Sequence, residues 1–511
     1  RGIYASSGGS FTFDHHTVEH VSSDPASIAI FNYGGAGSMT DNVVVDANDA
    51  LSSNHSRGVT MTGNTVTDSS SGLHTDNAGD GGGTGDVIAN NAVGNCKTGG
   101  YGVWVFVPYI APDVHDNTIS GCAIGLGAFG GKFPSGSPVT PTFTHNDVDG
   151  TGATVSSGAT TGAWLDTTTF SWGETDNDVE LISNTIRNFD EGVHLGEAAG
   201  ANLTVNAHFN RIVGNTAAID SASGTVGNFE NNWWGCNAGP GDPACGTASG
   251  PADVNPWLML RVSASPTSIP LGGNSDITAD LTHNSNNALA GTQFPNGVET
   301  KFATSAGSIP SPKETSLGQA ATVLTGALSA GKAHVTSTVD SQTVGVDVHV
   351  GSGYVVNDDT AGPGPVGADC ANPDFVAIQE GVEAVPAGST LLVCAGTYTE
   401  QVDVANKALT IKGAGPALTT ISSPPLESLV NDFGLDAGGD RRPIVYVHGK
   451  SAGIQSLTVD GHAVLGAGCS PALVYGIAYY NAGGTISNVA VKDVRNEPLS
   501  GCQNGLGIYN L

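Results

Sequence analysis

Residues 91–96 read Asn-Ala-Val-Gly-Asn-Cys, and residues 117–122 repeat that outline as Asn-Thr-Ile-Ser-Gly-Cys. In both copies an Asn stands two positions before an apolar residue, so alternate side chains face one side, as in a strand. Eight copies occur at intervals of 22 to 38 residues, at Asn42, Asn64, Asn91, Asn117, Asn146, Asn184, Asn210 and Asn232. Short, regular repeats of this kind predict an all-β solenoid in which each copy adds one coil.

The repeated Asn has a structural interpretation. In stacked coils, its side-chain amide reaches the amide of the next coil and satisfies buried polar groups along the axis. We therefore expect a ladder of hydrogen-bonded Asn side chains. Cys96 and Cys122 occupy matching positions of successive coils, which lie about 4.8 Å apart, so a disulfide between these coils is also expected.

Composition narrows the class of protein. With 73 Gly and 25 Pro among 511 residues, and only 13% charged residues, a helix-rich fold is disfavoured. The net charge of -30 would repel phosphate, so nucleic acid is not an expected partner. No apolar run is long enough to predict a membrane span. The start at Arg1, without Met or a signal-like segment, suggests a mature or excised piece.

The eight cysteines form four local pairs, and we predict the disulfides Cys96–Cys122, Cys236–Cys245, Cys370–Cys394 and Cys469–Cys502. A zinc site would need closely spaced Cys pairs of the CxxC type, which this sequence lacks. Disulfides favour an oxidising compartment, so we expect an extracellular protein, secreted or held at the cell surface.

Residues 258–350 have a different pattern, with short alternating strands about every ten residues, and this predicts a β-sandwich. The segment resembles bacterial Ig-like domains of the invasin and intimin type. The resemblance lies in Pro-Thr-Ser-Ile-Pro-Leu-Gly-Gly at 266–273 and Ala-Gly-Lys-Ala-His-Val-Thr-Ser-Thr-Val at 330–339. It implies a spacer or an adhesive module.

The flanking segments resemble two parts of one fold. Residues 229–257, with Asn-Trp-Trp-Gly and a later Pro-Trp, resemble the closing segment of bacterial parallel β-helix proteins, and the indoles are expected to cover the apolar end. Residues 386–402 resemble the opening coils of the pectin lyase-like superfamily. Residues 1–257 are therefore expected to finish a right-handed parallel β-helix, and residues 351–511 to begin one.

One helix is predicted, over residues 374–385 after a Gly/Pro-rich linker at 359–367. Phe375, Ile378, Val382 and Val385 would then share one face. Its position just before the opening coils predicts that it caps the second β-helix.

Polysaccharide-cleaving members of that superfamily carry motifs that are incomplete here. Residues 396–400, Gly-Thr-Tyr-Thr-Glu, are shared with pectin methylesterases, but the Gln-Asp pair and Leu-Gly-Arg-Pro-Trp of those enzymes are absent. Asp-Phe-Gly at 432–434 is only a fragment of their catalytic segment, so we interpret Glu400 as a solvated turn residue. The best alternatives are Arg187 as a lyase base, or carboxylates for a hydrolase from Asp190, Glu191 and Glu197 beside His194. We assign no catalytic residue and do not favour an enzyme.

Two stretches carry possible metal ligands. Asp76, Asp80 and Asp86 lie in a Gly-rich, oxygen-rich stretch, so calcium is the one cofactor we consider. In the cluster 14–20, strand alternation would put His16 and His20 on the side of Val18 and the other ligands opposite. His16 also occupies the ladder position of Asn, which favours a structural role.

The two ends of the chain share a strand pattern, with Gly2, Ile3 and Tyr4 at one end and Gly507, Ile508 and Tyr509 at the other. Each end is expected to expose unpaired backbone and open core. Joining the ends directly would leave too few residues for a parallel crossover. We expect strand addition between copies, giving a head-to-tail homopolymer. Alternatively, one chain joins its own halves, or the ends are cuts in a tandem repeat.

Two functions compete. The first is an extracellular structural protein, either a cell-surface component or a filament subunit. The second is a protein that binds or cleaves polysaccharide, with aromatic residues near Trp104, Phe106 and Tyr109 stacking on sugar faces. In that case, surface polysaccharide would be a further partner.

Overall fold

The structure is a computed structural model. It describes residues 2–510 except 7, 132–138, 170–172, 197–199, 223–225, 244, 360–361, 431–439, 470–471 and 500. Its described elements are strands, apart from the α-helix Ile378–Ala384 and the 3-10 turn Leu426–Ser428. Along the chain they form a first β-helix, a β-sandwich and a second β-helix.

The first β-helix consists of three parallel sheets, named A, B and C, which take successive strands from each coil. Sheet A contains Ile3–Ser6, Ile28–Tyr33, Asp49–Asn54, Ser71–Asp76, Tyr101–Phe106, Ile124–Phe129, Thr161–Asp166, Glu191–Leu195 and Ala217–Ser221. Sheet B contains Ser10–Asp14, Ala36–Thr40, Val59–Thr62, Val87–Ala89, Asp113–His115, Thr142–Thr144, Asn177–Ile182, Leu203–His208 and Val226–Asn228. Sheet C contains Thr17–Val21, Val43–Ala47, Thr65–Thr67, Ala92–Gly94, Thr118–Ser120, Asp147–Asp149, Thr185–Arg187 and Arg211–Val213.

Inward-facing apolar residues stack in columns along the axis. Val93, for example, lies opposite Val66 in one neighbouring coil and Ile119 in the other, and all three are buried. This stacking follows from the alternation of side chains in each strand, which sends every second residue into the core.

The predicted Asn ladder is confirmed. All eight Asn residues are buried, and seven amide-to-amide hydrogen bonds join them from Asn42 to Asn232. The Asn91 amide accepts from Asn64 at 2.9 Å and donates to Asn117 at 2.9 Å. A left-handed residue precedes each Asn, such as Asn90 with φ 57°, and turns the chain from sheet B into sheet C.

The longest interval between copies contains an antiparallel hairpin of Thr168–Thr169 and Gly173–Glu174. A loop leaves the coil in this interval, as expected from its length. Trp172, which also falls in the interval, lies outside the described residues.

The β-sandwich consists of two antiparallel layers that enclose a core containing Ile277, Phe302 and Val335. One layer contains Leu258–Ser265, Asn274–Asn284 and Gln319–Thr325. The other contains Ser268–Ile269, Glu299–Thr304, Lys313–Glu314, Gly331–Val339 and Gln342–Val350, with one parallel pairing between Ser268–Ile269 and Gln342–Val350.

The second β-helix is also built from parallel strands. One sheet contains Gly353–Val356, Thr390–Val393, Gly396–Thr399, Leu409–Gly413, Thr419–Ser422, Ala452–Asp460 and Gly484–Lys492. The other contains Val402–Ala405, Asp440–His448, Ala472–Tyr480 and Gly505–Asn510. Its last coils turn at single left-handed residues, Ser456 and Asn488, each followed directly by an apolar residue.

The helix is shorter than predicted. It begins at Ile378 and ends at Ala384, whereas the sequence predicted 374–385. Asp374 accepts a hydrogen bond from the amide of Val355, and Phe375 forms a β-bridge with Val356, so the first residues of the expected helix are extended. Ile378 and Val382 are buried against the opening coils, as predicted for a cap.

Candidate assembly site at the open ends of the two β-helices

The first strand of the chain, Ile3–Ser6, has one free edge among the described strands. It pairs in parallel with Ile28–Tyr33, and Ile3 lies opposite Ile30. Tyr4 is 52% exposed, and its ring stacks on Phe31 with centroids 5.3 Å apart. The free edge therefore presents backbone groups together with apolar side chains.

The other strands of the first coil leave the core partly open at the same end. Each pairs on one side only, with the following coil. Phe11, Phe13, Val18 and Val21 pack against the core but stay partly exposed. In a coil with neighbours on both sides, residues at such positions are buried, as Met39 and Val44 are.

The last coil of the second β-helix is open in the same manner. Its strand Gly505–Asn510 pairs only with Ala472–Tyr480, and Ile508 lies opposite Ile477. Ile508 is 52% exposed, whereas Ile477 is fully buried one coil earlier. The ring of Tyr509 packs on Tyr475 at a centroid distance of 4.9 Å.

A second strand borders this open end. Gly484–Lys492 pairs only with Ala452–Asp460. Ile486, Val489, Val491 and Val494 are partly buried against the core of the second β-helix. The described part of the chain thus has two open β-helix ends, one on its first coil and one on its last.

The opposite end of the first β-helix is closed. Trp234 is buried in the β-helix core, as expected of a covering indole. Trp233 instead packs with the core of the sandwich, and its Nε1 donates a hydrogen bond to Asp340 at 2.7 Å. The sequence did not indicate that this residue is shared between two domains.

The beginning of the second β-helix is covered by the helix Ile378–Ala384. The Glu400 carboxylate accepts hydrogen bonds from the backbone amides of Ile378 and Gln379, both at 2.8 Å. Burial raises the pKa of Glu400 above its ordinary value. The prediction of a solvated turn residue at Glu400 is therefore wrong, because its carboxylate caps the helix.

The structure joins the four cysteine pairs that the sequence predicted. The Cα–Cα distances are 4.7 Å for Cys96–Cys122, 5.1 Å for Cys236–Cys245, 6.0 Å for Cys370–Cys394 and 5.2 Å for Cys469–Cys502. Cys96–Cys122 links adjacent coils near the corner that follows sheet C.

Asp86, one of the three calcium candidates, is fully buried and has its own hydrogen-bond donors. It accepts from the Ser56 hydroxyl at 2.7 Å, the Val59 amide at 2.8 Å and the Thr75 hydroxyl at 2.5 Å. Burial raises its pKa despite these hydrogen bonds. The site of Asp86 is thus a hydroxyl-lined pocket within the coil.

Asp76 and Asp80 have separate partners. The Asn54 amide donates to Asp76 at 3.3 Å, and the Asp80 carboxylate lies 2.6 Å from the His55 ring. Among the described residues, the acidic, His and Cys groups that lie close enough to share an ion do not include these three Asp residues. Calcium therefore stays a prediction, and this arrangement does not support it.

The histidine cluster near the first strand is mostly exposed. The His16 backbone amide donates to Asn42 at 2.9 Å, which places His16 at the start of the Asn ladder. His20 has a φ of 57° and is exposed beside Asp46, so it does not share the core side of Val18 as predicted. Asp14, His15 and Asp41 form an exposed group within reach of a single ion.

Arg187 is unsuited to act as a base. Its guanidinium group forms ion pairs with Asp147 and Asp149. Burial alone would lower its pKa, but the two carboxylates outweigh that effect and raise it. Arg187 therefore stays charged and links two neighbouring strands of sheet C, Thr185–Arg187 and Asp147–Asp149.

The hydrolase candidates are only partly assembled. Glu191 and Asp220 lie 3.0 Å and 3.5 Å from Nδ1 of His194. Asp190 instead accepts hydrogen bonds from the backbone and hydroxyl of Thr160. Glu197 lies outside the described residues, as do residues 432–434.

Of the predicted aromatic platform, Trp104 lines a groove of about 420 Å³ together with Tyr101 and Phe129. Phe106 is buried, and Tyr109 lies elsewhere. Trp104 stacks on His74 with ring centroids 4.1 Å apart.

A Ser, His and Asp group lies beneath Trp104. His74 Nε2 bonds to the Ser52 hydroxyl at 2.9 Å, and its Nδ1 lies 3.3 Å from Asp49. Ser52 is fully buried, so its hydroxyl is not accessible as a nucleophile. The sequence did not indicate this group, because His74 comes from the coil after the strand that contains Asp49 and Ser52.

Comparisons with known proteins agree with the fold. The family model described as a right-handed β-helix region matches residues 1–170. The match and the three parallel sheets together show a right-handed parallel β-helix fold. No curated protein matches the chain. No helix among the described residues is long and apolar enough to cross a membrane.

Two solved structures of intimin show short similarities. The C-terminal 282-residue fragment, solved with the intimin-binding domain of the translocated intimin receptor, is 19% identical with a TM-score of 0.15. That match covers 18% of this chain and 32% of the fragment. The D0-D1 domain of intimin is 20% identical with a TM-score of 0.13, covering 19% of this chain and 46% of that one. This chain therefore spans less than half of either structure.

Proposed function

We propose that this chain is an extracellular structural protein, a cell-surface component or filament subunit whose copies join head to tail by completing the β-helix. The observation that carries this proposal is the matching of the two open ends. Ile3–Ser6 and Gly505–Asn510 each have a free parallel edge, and both contain the sequence Gly-Ile-Tyr when Gly2 is included.

Strand addition would pair the free edges of Ile3–Ser6 and Gly505–Asn510. Backbone donors and acceptors on the two free edges would pair in parallel, and Ile508 would be buried against the row that contains Ile3. Burying each such side chain contributes about 2 kcal/mol. Because the contact joins two different surfaces, it need not close, and its repetition gives a filament.

The remainder of the chain suits a mechanical role. The Asn ladder and the Cys96–Cys122 disulfide link successive coils, and the sandwich lies between the two β-helices along the chain, where it can act as a spacer. Disulfides also favour an oxidising, extracellular compartment. The net charge of -30 keeps such a protein soluble outside the cell.

Assembly is tested by sedimentation velocity over a concentration series, with electron microscopy of the same samples. We expect polymers that grow with concentration and are lost in Ile508→Asp, since a charge would sit in an apolar junction. Leu328→Asp is the matched control, because Leu328 is an exposed apolar residue of the sandwich. A wild-type chain that stays monomeric at high concentration would contradict the proposal.

Polysaccharide binding is a second candidate, favoured by the groove at Trp104 and Tyr101. The Trp104 indole lies in this groove beside polar residues such as Asn48 and Ser70, an arrangement that suits stacking on a sugar ring. Affinity electrophoresis against a polysaccharide panel tests it, with Trp104→Ala expected to remove any retardation. Retardation unchanged by Trp104→Ala would exclude this groove, and released reducing ends would indicate cleavage.

A further inference from the structure

A column of small residues runs along the first β-helix, and the last two coils of the second β-helix have small residues at the equivalent position. Each of these small residues directly precedes the inward-facing apolar residue of its strand, such as Ile3, Ile30 or Ile508. They are Gly476, Gly507, Gly2, Ala29, Ala50, Gly72, Gly102, Gly125, Gly162, Gly192 and Ala218. One coil before Gly476, the equivalent residue is the buried Ile444, so the small residues begin at Gly476.

The close approach of the next coil and of apolar core side chains explains the glycines. A Cβ atom at Gly476 would lie 2.5 Å from the carbonyl oxygen of Gly507 and also 2.5 Å from Cγ1 of Val491. One at Gly2 would lie 2.6 Å from the carbonyl oxygen of Ala29. A Cβ at Gly102 would lie 2.5 Å from the carbonyl oxygen of Gly125, and one at Gly162 would lie 2.5 Å from that of Gly192. Contacts this short exclude larger side chains unless the backbone moves.

Gly507 is the exception. The nearest atom to a Cβ at Gly507 is Cγ1 of Val491 at 3.8 Å, an ordinary van der Waals distance. Its φ is not in the left-handed region either. Among the described residues, nothing in its own chain requires a glycine, although glycine within a strand is less favourable than alanine.

We infer that Gly507 is small because the first strand of a second copy lies against it, with the Gly2 carbonyl over the position of the missing Cβ. This inference rests on the proposed head-to-tail assembly and adds its register. Ile508 then lies opposite Ile3, and Tyr509 lies opposite Tyr4. A slip of one residue would send Ile508 to the outward face, so the register is strongly selected.

The aromatic rings on the outward face support the same register. Tyr509 already packs on Tyr475, and Tyr4 already stacks on Phe31. In the inferred register, the four rings form one continuous stack, because neighbouring coils are about 4.8 Å apart. The exposed Tyr4 and the partly buried Tyr509 would then both be covered.

Substitution at Gly507 tests the steric argument. Gly507→Val should fold with an unchanged melting temperature, because the space beside it is open in the isolated chain, but should raise the concentration needed for polymers at least tenfold. Gly507→Ala should also raise that concentration, but by a smaller factor, because its Cβ alone would meet the Gly2 carbonyl. Gly501→Val is the control, since no atom lies within 4 Å of a Cβ there.

Cross-linking tests the register even if Gly507→Val fails to fold. A mixture of Tyr4→Cys and Tyr509→Cys chains should form an intermolecular disulfide, because opposite residues in adjacent coils have suitable separation. A mixture of Tyr4→Cys and Ile508→Cys, which corresponds to a slipped register, should not. The reverse result would overturn the inferred register.

The two proposals fail differently. If the wild-type chain never polymerises, head-to-tail assembly is contradicted, and the inference about Gly507 falls with it. If the wild-type chain and Gly507→Val polymerise at the same concentration, assembly stands while the role of Gly507 is overturned.

Discussion

Asp340, in the sandwich, accepts hydrogen bonds from the guanidinium group of Arg211, in the first β-helix. The Arg211 Nε lies 3.0 Å from the Asp340 carboxylate, and both side chains are mostly buried. Trp233 donates to the same carboxylate. This charged pair joins the first β-helix to the sandwich, although Arg211 and Asp340 are 129 positions apart in the sequence.

Asp340→Ala should loosen that boundary. Removing one partner leaves the Arg211 charge buried without compensation, which costs about 3 kcal/mol. Hydrogen exchange should therefore become faster in residues 229–257 while the coils near Asn91 stay protected. Glu299→Ala, which removes an exposed partner of Lys301, is the control and should change little. Equal exchange in Asp340→Ala and wild type would contradict the role of this pair.

Asn91→Asp should destabilise the first β-helix by about 3 kcal/mol. An ionised Asp keeps the acceptors but cannot donate to the Met61 carbonyl or to Asn117, as the Asn91 amide does. Urea unfolding measures the loss. Thr118→Ala, an exposed position beside the ladder, should differ from wild type by less than about 0.5 kcal/mol. A similar effect of both changes would show that the ladder adds no special stability.

Glu400→Ala should lower the stability of the second β-helix by about 1–2 kcal/mol, because two amides of the helix Ile378–Ala384 lose their acceptor. Glu400→Gln keeps one carbonyl acceptor and should lose less. Thermal unfolding followed by circular dichroism ranks the three chains. If the Gln and Ala variants unfold at the wild-type temperature, the capping contact is not stabilising.

Asp86→Asn should change the dependence of stability on pH. Burial raises the pKa of Asp86 in the folded state, so its protonated form is favoured by folding. Its stabilising contribution is therefore complete below the unfolded pKa of about 3.9 and is lost as pH rises through the higher folded pKa. Relative to Asp86→Asn, the wild type should lose stability across that range.

Urea unfolding of both chains at pH 3.5 to 7.5 measures this difference. Asp68→Asn, at an exposed carboxylate, is the control and should follow the wild-type curve. Parallel curves for wild type and Asp86→Asn would contradict a raised pKa at Asp86.

The sequence by itself determined the features that repeat. The spacing of the Asn residues predicted the ladder, and the matched positions of Cys96 and Cys122 predicted a link between coils. Each coil contacts mainly the next one, so one period of sequence contains most of what a coil requires. The shared Gly-Ile-Tyr pattern at the two ends was visible for the same reason.

Only the tertiary structure decided the contacts that occur once. Glu400 caps a helix that begins at Ile378, and Trp233 packs into the sandwich. Asp86 accepts hydrogen bonds from the hydroxyl groups of Ser56 and Thr75 instead of lying beside Asp80. None of these contacts repeats from coil to coil, so no period in the sequence indicates them. They depend on which distant surfaces meet when the coils, the helix and the sandwich pack together.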